Sequence, residues 1–239
     1  MKILAINTSS VICSVALLED DKLIMEKHII DEKTHSQKLM PLIDSLLKEN
    51  RLTLEKIDLF ACSVGPGSFT GVRIGVSTVK AFADVTQKPV TSISSLEALA
   101  YNAFDSYFKE EVDIICPLID AKNNNVYFGL FKKTKENTLT RIEDLQFNKI
   151  DTIISFLDEK YDTSRIIFIG DGATSYKYKI LETLRKAKFA VEALNRESSI
   201  NIGKCGYLHY LNGNYGDSNF VTPLYLRKSQ AERALEGED

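Results

Sequence analysis

Short stretches of unbroken or alternating apolar residues open the chain, separated by polar clusters. The pattern predicts strands over Lys2 to Asn7, Val11 to Leu18 and Leu23 to Ile30, with Thr8-Ser9-Ser10 and Glu19-Asp20-Asp21-Lys22 turning the chain between them. Connections this short make the three strands antiparallel. The spacing then becomes helical. A helix capped by Thr34 or Ser36 runs to about Asn50, with a wide apolar face of Leu39, Met40, Leu42, Ile43, Leu46 and Leu47 and a bend at Pro41. Ile57 to Val64 is short enough for a buried strand, and Val72 to Val85 reads as a helix. A short strand at Lys88 to Thr91 and a helix from Leu96 to about Phe104, capped by Ser94 or Ser95, complete this run.

Beyond that point the order restarts. Strands are predicted at Val112 to Ile119, Val126 to Phe131 and Leu139 to Phe147, then a helix over Asp151 to Lys160 and a strand at Ile166 to Ile169. Gly170-Asp171-Gly172 opens a helix to about Lys186, a strand lies near Phe189 to Leu194, and a helix runs from Ser199 to Leu211. Three strands, a helix, a strand and a helix thus occur twice, which points to two related α/β halves. We place them at residues 1–108 and 109–239, the second having a last helix and tail that could pack back on the first.

Between the strand ending at Val64 and the helix opening at Val72 lies Gly65-Pro66-Gly67-Ser68-Phe69-Thr70-Gly71. Gly65 and Gly67 permit backbone angles closed to other residues, and Ser68 and Thr70 suit the capping of free helix N–H groups. A loop of this kind can hold a phosphate at a helix N-terminus. It matches no nucleotide fingerprint: a P-loop needs Gly-Lys-Ser/Thr, and the dinucleotide pattern needs a glycine where Thr70 stands. The packing alternative is a tight, well-capped strand-to-helix turn.

The composition narrows the chemistry. A chain of 239 residues, 44% hydrophobic and 26% charged, can bury a real core, and a net charge of −3 is not that of a stand-alone nucleic-acid binder. Cys13, Cys62, Cys116 and Cys205 form no C-x-x-C, and the first three lie in apolar runs, so buried reduced thiols and a cytoplasmic location are expected. No signal peptide and no membrane-length segment is read. His28, His35 and His209 give no His-x-x-x-His pair, and H-E-x-x-H and G-x-S-x-G are both absent. No catalytic residue and no metal site is therefore expected.

Leu4-Ala5-Ile6-Asn7-Thr8-Ser9, the stretch Gly65 to Gly75, Ser94-Ser95-Leu96-Glu97-Ala98-Leu99-Ala100, Asp120-Ala121 with Val126-Tyr127, Gly170-Asp171-Gly172-Ala173 and Pro223-Leu224-Tyr225-Leu226-Arg227 together resemble the TsaB (YeaZ) family from end to end. The resemblance implies an actin-like, Hsp70-like, sugar-kinase-like α/β fold of two RNase H-like halves. It implies a non-catalytic subunit that supports TsaD, with the ATPase TsaE, in transferring a threonylcarbamoyl group to adenosine 37 of tRNAs that read ANN codons. By the same resemblance the chain has no cofactor of its own, with ATP or ADP at most at the complex interface, and meets tRNA only through the complex. Family members usually carry Asp where this chain has Asn7, and a neutral amide binds Mg²⁺ less well than a carboxylate. The alternative is an autonomous ATPase or small-molecule kinase of the same fold. For that reading Asn7, Thr8, Ser9, Gly65, Gly67 and Ser68 are the candidate phosphate-binding residues.

The helix after the glycine loop has two apolar faces, Val72, Val76, Val79 and Ala83 on one and Ile74, Ala81 and Val85 nearly opposite. One face suffices to join a core, so two apolar faces mean either burial on both sides or a second surface for a partner. The resemblance implies that the face beginning at Val72, with Leu39, Leu42, Ile43 and Leu46 of the preceding helix, meets TsaD in a heterodimer, and a second copy is expected there as a homodimer when the chain is free.

Overall fold

The computed structural model describes residues 1–30, 35–107, 112–134 and 138–228. Strands β1 (Lys2–Asn7), β2 (Ile12–Glu19) and β3 (Lys22–Ile30) form the predicted antiparallel meander. Helix α1 (His35–Glu49) follows; Thr34, one of its two expected caps, lies outside the described residues, and Ser36 lies inside the helix. Strand β4 (Leu59–Gly65) pairs parallel with β1, and helix α2 (Phe69–Thr86) leads to β5 (Val90–Ser94), parallel to β4. The first sheet therefore has the order β3-β2-β1-β4-β5.

Helix α3 (Ser95–Tyr107) connects to a second sheet of the same plan. Its strands are β6 (Ile114–Asp120), β7 (Asn125–Lys133), β8 (Leu139–Lys149), β9 (Ile166–Ile169) and β10 (Lys188–Phe189), in the order β10-β9-β6-β7-β8. Antiparallel β6-β7-β8 repeats β1-β2-β3, and parallel β6-β9-β10 repeats β1-β4-β5. Helix α4 (Ile150–Tyr161) joins β8 to β9. The single helix expected after Gly170 is two pieces, α5 (Asp171–Ser175) and α6 (Lys177–Thr183), broken at Tyr176, whose hydroxyl reaches Asp120. The strand expected to reach Leu194 stops at Phe189 and gives way to a 3₁₀ turn at Glu192–Leu194. Helix α7 (Ser199–Leu211) closes the order, capped by the Ser198 hydroxyl on the Ile200 N–H.

Period-two alternation in β1 decides what each face buries. Leu4 and Ile6 join Phe60, Cys62, Leu39, Ile43, Leu46, Val72, Val76 and Val79 under α1 and α2. Ile3 and Ala5 join Ala16, Leu18, Ala61, Ala98, Ile202 and Cys205 under α3 and α7. Helix α7 sits close because it carries glycines there: a Cβ on Gly203 would lie 2.2 Å from Leu18 Cδ1, and one on Gly206 2.6 Å from Ala61 Cβ. Helix α3 lies between the sheets, with Ala98 and Tyr101 facing the first and Leu96, Leu99 and Ala103 the second.

The packing corrects the expected partner surface. Leu39, Ile43, Leu46, Val72, Val76, Val79 and Ala83 are all buried in the first half's own core, and Leu42 is half-buried against it. The reason is visible in the same face of α2: Gly71 and Gly75 bring it onto the end of β1, where Cβ atoms would meet Thr8 O at 2.0 Å and Thr8 Oγ1 at 2.5 Å. The opposite face stays outward, with Ile74 half-buried, Ala81 exposed and Val85 78% exposed; Met40 of α1 is 50% exposed.

Candidate functional site

The strand ends β1 and β4 deliver Asn7, Ser9 and Ser63 to the centre of the molecule, and the first turn of α3 adds Ser95. All four are buried. The Asn7 carbonyl oxygen accepts from the Ser9 N–H at 3.1 Å and lies 2.7 Å from the Ser9 hydroxyl. Ser63 Oγ is 3.1 Å and Ser95 Oγ 3.0 Å from Ser9 Oγ, and 3.0 Å from each other. Into this cluster comes Glu197, from the loop ahead of α7: its Oε2 is 2.6 Å from Ser9 Oγ and accepts from Asn7 Nδ2 at 3.3 Å.

Burial pushes the Glu197 carboxyl up to about 7, aided by the charge of Asp171 and opposed by the hydrogen bonds from Ser9 and Asn7. The Ser9 hydroxyl has four neighbours but one proton to give and two lone pairs. It donates to Glu197 Oε2 or to Asn7 Oδ1, and its two lone pairs accept from the Ser63 and Ser95 hydroxyls. Glu197 was not legible in the sequence, since Arg196-Glu197-Ser198 reads as a charged loop and its partners lie 188 and 190 residues away.

The glycine loop makes several hydrogen bonds within itself and to the end of β1. The Ser68 N–H donates to Ser9 O at 2.7 Å, the Val72 N–H to Ser68 O, and the Gly71 N–H to Ser68 Oγ at 3.2 Å. Thr8 Oγ1 donates to Gly71 O at 2.7 Å. Gly65 does use a left-handed angle, φ 98°, but Gly67 does not. Gly67 is needed for space, because a Cβ there would lie 2.2 Å from Ser9 O. Thus Asn7, Thr8, Ser9, Gly65, Gly67 and Ser68 do come together; the Ser68 N–H and Thr8 hydroxyl have partners within the group or on Gly71, while Ser68 itself is exposed and, with Ser9 and Gly67, lines the neighbouring cleft. The cap is Ser68 alone of the two candidates, its hydroxyl accepting from the Gly71 N–H.

A cleft of about 460 Å³ lies beside this cluster, between the halves. Ser9, His35 and Ser68 face it from the first half, Asp120, Lys122 and Asp171 from the second, and Glu197 from the α7 loop. Asp171 Oδ1 accepts from the Asp120 N–H, and burial, then the neighbouring Asp120 charge, raise its carboxyl above the usual range. Asp120 pairs with Lys122 at 2.9 Å. Three carboxyl groups against one paired lysine make the walls inhospitable to a phosphate. Among the described residues no three His, Cys, Asp or Glu side chains converge as metal ligands.

The tail motif fastens the loop from outside. Leu224 N–H donates to Val64 O, the Tyr225 ring stacks on Phe69 at 4.3 Å, and Arg73 donates to the Tyr225 hydroxyl at 2.7 Å. Two residues on, Arg227 donates to Ala121 O and lies over the Phe147 ring, so the same segment reaches the second half. His209, without an evident partner in the sequence, is 2.9 Å from Glu97 and from Asn214. No helix among the described residues is long and apolar enough to cross a membrane.

Comparison with known proteins extends this picture. The TsaD family, tRNA N6-adenosine threonylcarbamoyltransferase, matches residues 29–235. The tRNA threonylcarbamoyladenosine biosynthesis protein TsaB of Bacillus subtilis (strain 168) is 32% identical over 238 residues, covering 97% of this chain and 96% of that one. Among solved structures, a Pseudomonas aeruginosa protein with similarity to peptidase YEAZ superposes with a TM-score of 0.79 at 25% identity, covering 95% of this chain and 99% of that one. A ROK hexokinase from Thermus thermophilus superposes at 0.54 with 11% identity over 89% of this chain and all of its own. That likeness is one of fold, the sugar-kinase-like pair of RNase H-like halves that the family resemblance implies.

Proposed function

The chain belongs to the TsaB family of tRNA threonylcarbamoyladenosine biosynthesis proteins, and we propose that within this pathway it is a non-catalytic interaction subunit of TsaD. The observation that supports the reading is the glycine loop, whose Ser68 and Gly71 N–H groups and Thr8 hydroxyl have internal partners. A nucleotide-hydrolysing member of this fold needs such groups free for phosphate, and an acidic residue where Asn7 stands. Asn7 instead donates its amide to Glu197.

The partner surface in this reading is the outward face of α1 and α2, with Met40, Ile74, Ala81 and Val85 in place of the buried face that begins at Val72. TsaD matches most of this chain, so the two proteins share a fold and can meet through equivalent helices, as two copies of this chain can when TsaD is lacking. TsaE joins the pair, tRNA is met through the complex, and the group is transferred to adenosine 37. The chain itself supplies no cofactor.

Two assays test the reading together. The purified chain alone should show no ATP turnover above background, and TsaD should transfer the threonylcarbamoyl group to tRNA only when this chain and TsaE are added. Turnover by the chain alone, or full transfer without it, would replace the interaction subunit with the autonomous ATPase.

A further inference from the structure

Glu197 is the wall between two cavities. It lines the cleft of about 460 Å³ between the halves and, on its other side, a cavity of about 210 Å³. The loop that carries it is fastened on both flanks. Asn102 Nδ2 donates to Leu194 O and Arg196 O, and the Ser198 and Ser199 hydroxyls donate to Glu26 Oε1. Asn195 accepts from the Gly170 N–H and donates to Thr174 Oγ1. The backbone is thus pinned, and a change of position at Glu197 is one of the side chain alone. Its hydrogen bonds from Asn7 and Ser9 both fall on Oε2, so a neutral carboxylic acid holds them through its carbonyl oxygen.

The two sides of this wall differ in charge. On the cleft side stand Asp120 at the end of β6, Asp171 at the start of α5 and Lys122, which Asp120 already pairs. His35 of α1 is the other titratable group that lines the cleft. On the far side stand Arg196 of the same loop and His28 of β3. Glu26 of β3 is there too, its Oε1 taken up by two hydroxyls. A negative charge on Glu197 is therefore repelled from the cleft and drawn to the small cavity. In a poorly screened interior a displacement of a few ångströms changes such energies substantially.

We propose that Glu197 is a two-position switch between these cavities. Neutral, it rests on Asn7 and Ser9 and covers the end of β1. Ionised, it turns into the small cavity towards Arg196 and His28, and leaves the Asn7 amide and the Ser9 hydroxyl facing the cleft. Burial holds its carboxyl up to about 7, so the turn falls near neutral pH. Burial and the Asp171 charge outweigh the hydrogen bonds from Ser9 and Asn7 at the resting position. Leaving those bonds for water and Arg196 is then the favourable way to carry the charge. What the cleft wall presents thereby depends on pH, whatever happens on the partner face of α1 and α2.

The test is an NMR titration of the full chain from about pH 5.5 to about pH 8.5, following nuclear Overhauser contacts of the Glu197 side chain. A contact with the Asn7 side-chain amide is expected in acid, giving way to one with the His28 ring in base. Glu197→Gln keeps the hydrogen bonds on its carbonyl oxygen and should hold the Asn7 contact throughout. At rest the carboxyl is set by burial, Ser9, Asp171 and Asn7, without Arg196. Arg196→Met should therefore act only on the turned position, and raise the midpoint of the change by about half to one pH unit. An Asn7 contact that persists in the parent at about pH 8.5 would overturn the proposal. So would a midpoint that Arg196→Met leaves unmoved, since Glu197 would then titrate without turning.

Discussion

Ser9 Oγ and Glu197 Oε2 lie 2.6 Å apart, joining residues 188 positions distant in the chain and closing the end of the first sheet against the loop that feeds α7. The pair is buried, and the carboxyl is held up to about 7 by that burial. Its ordinary value is 4.5, so the folded state holds a proton that the unfolded state has released between those two values. Stability from this group is fully present below about pH 4.5 and is lost as pH rises through about 7. At most this is about 3 kcal/mol. Glu197→Gln imitates the protonated form, so its melting temperature should exceed the parent's at about pH 8 and match it at about pH 5. Thermal melts across that range check this, and parallel curves for the two proteins would contradict it.

Asn7→Asp probes the other side of the same contact. The amide that donates to Glu197 becomes a second carboxyl 3.3 Å away. The variant should lose about 1–3 kcal/mol in denaturant unfolding at neutral pH, and less in acid where one carboxyl is protonated. An equal loss at both pH values would mean the charge pair is not the cause.

The glycine loop separates two local effects. Gly67→Ala puts a Cβ against Ser9 O, which is backbone and cannot move away easily, and should cost about 1–3 kcal/mol. Ser68→Ala removes only the cap on the Gly71 N–H and should cost about 1 kcal/mol, leaving transfer by the assembled complex within a few-fold of the parent. Chemical unfolding and a single-turnover transfer assay distinguish the two. A loss of several orders of magnitude in transfer for Ser68→Ala, with assembly intact, would give that hydroxyl a chemical role.

The sheets were legible because alternation in β1 and the repeated element order are local signals, and the same order returned in the second sheet. Helix α2 was harder. Its two apolar faces are equivalent by periodicity, and the face chosen for a partner turned out to be core. Gly71 and Gly75 were the missed signal, since glycines four apart beside Val72 and Val76 mark a close approach to a strand end. The break at Tyr176 had no local warning, because its hydroxyl reaches Asp120, 56 residues earlier. Glu197 had none either, since only the folded chain brings it to Asn7.

The partner face can be tested by one binding measurement with two variants. Ala81→Asp places a charge on the exposed side of α2, and Val76→Asp places one in the core. By calorimetric titration with TsaD, Ala81→Asp should lose binding by at least about a hundred-fold while melting as the parent does. Val76→Asp should instead fail to fold stably, because an unpaired carboxylate would sit among Leu4, Phe60 and Val72. Native TsaD affinity for a folded Ala81→Asp variant would contradict the assignment of this face to the partner.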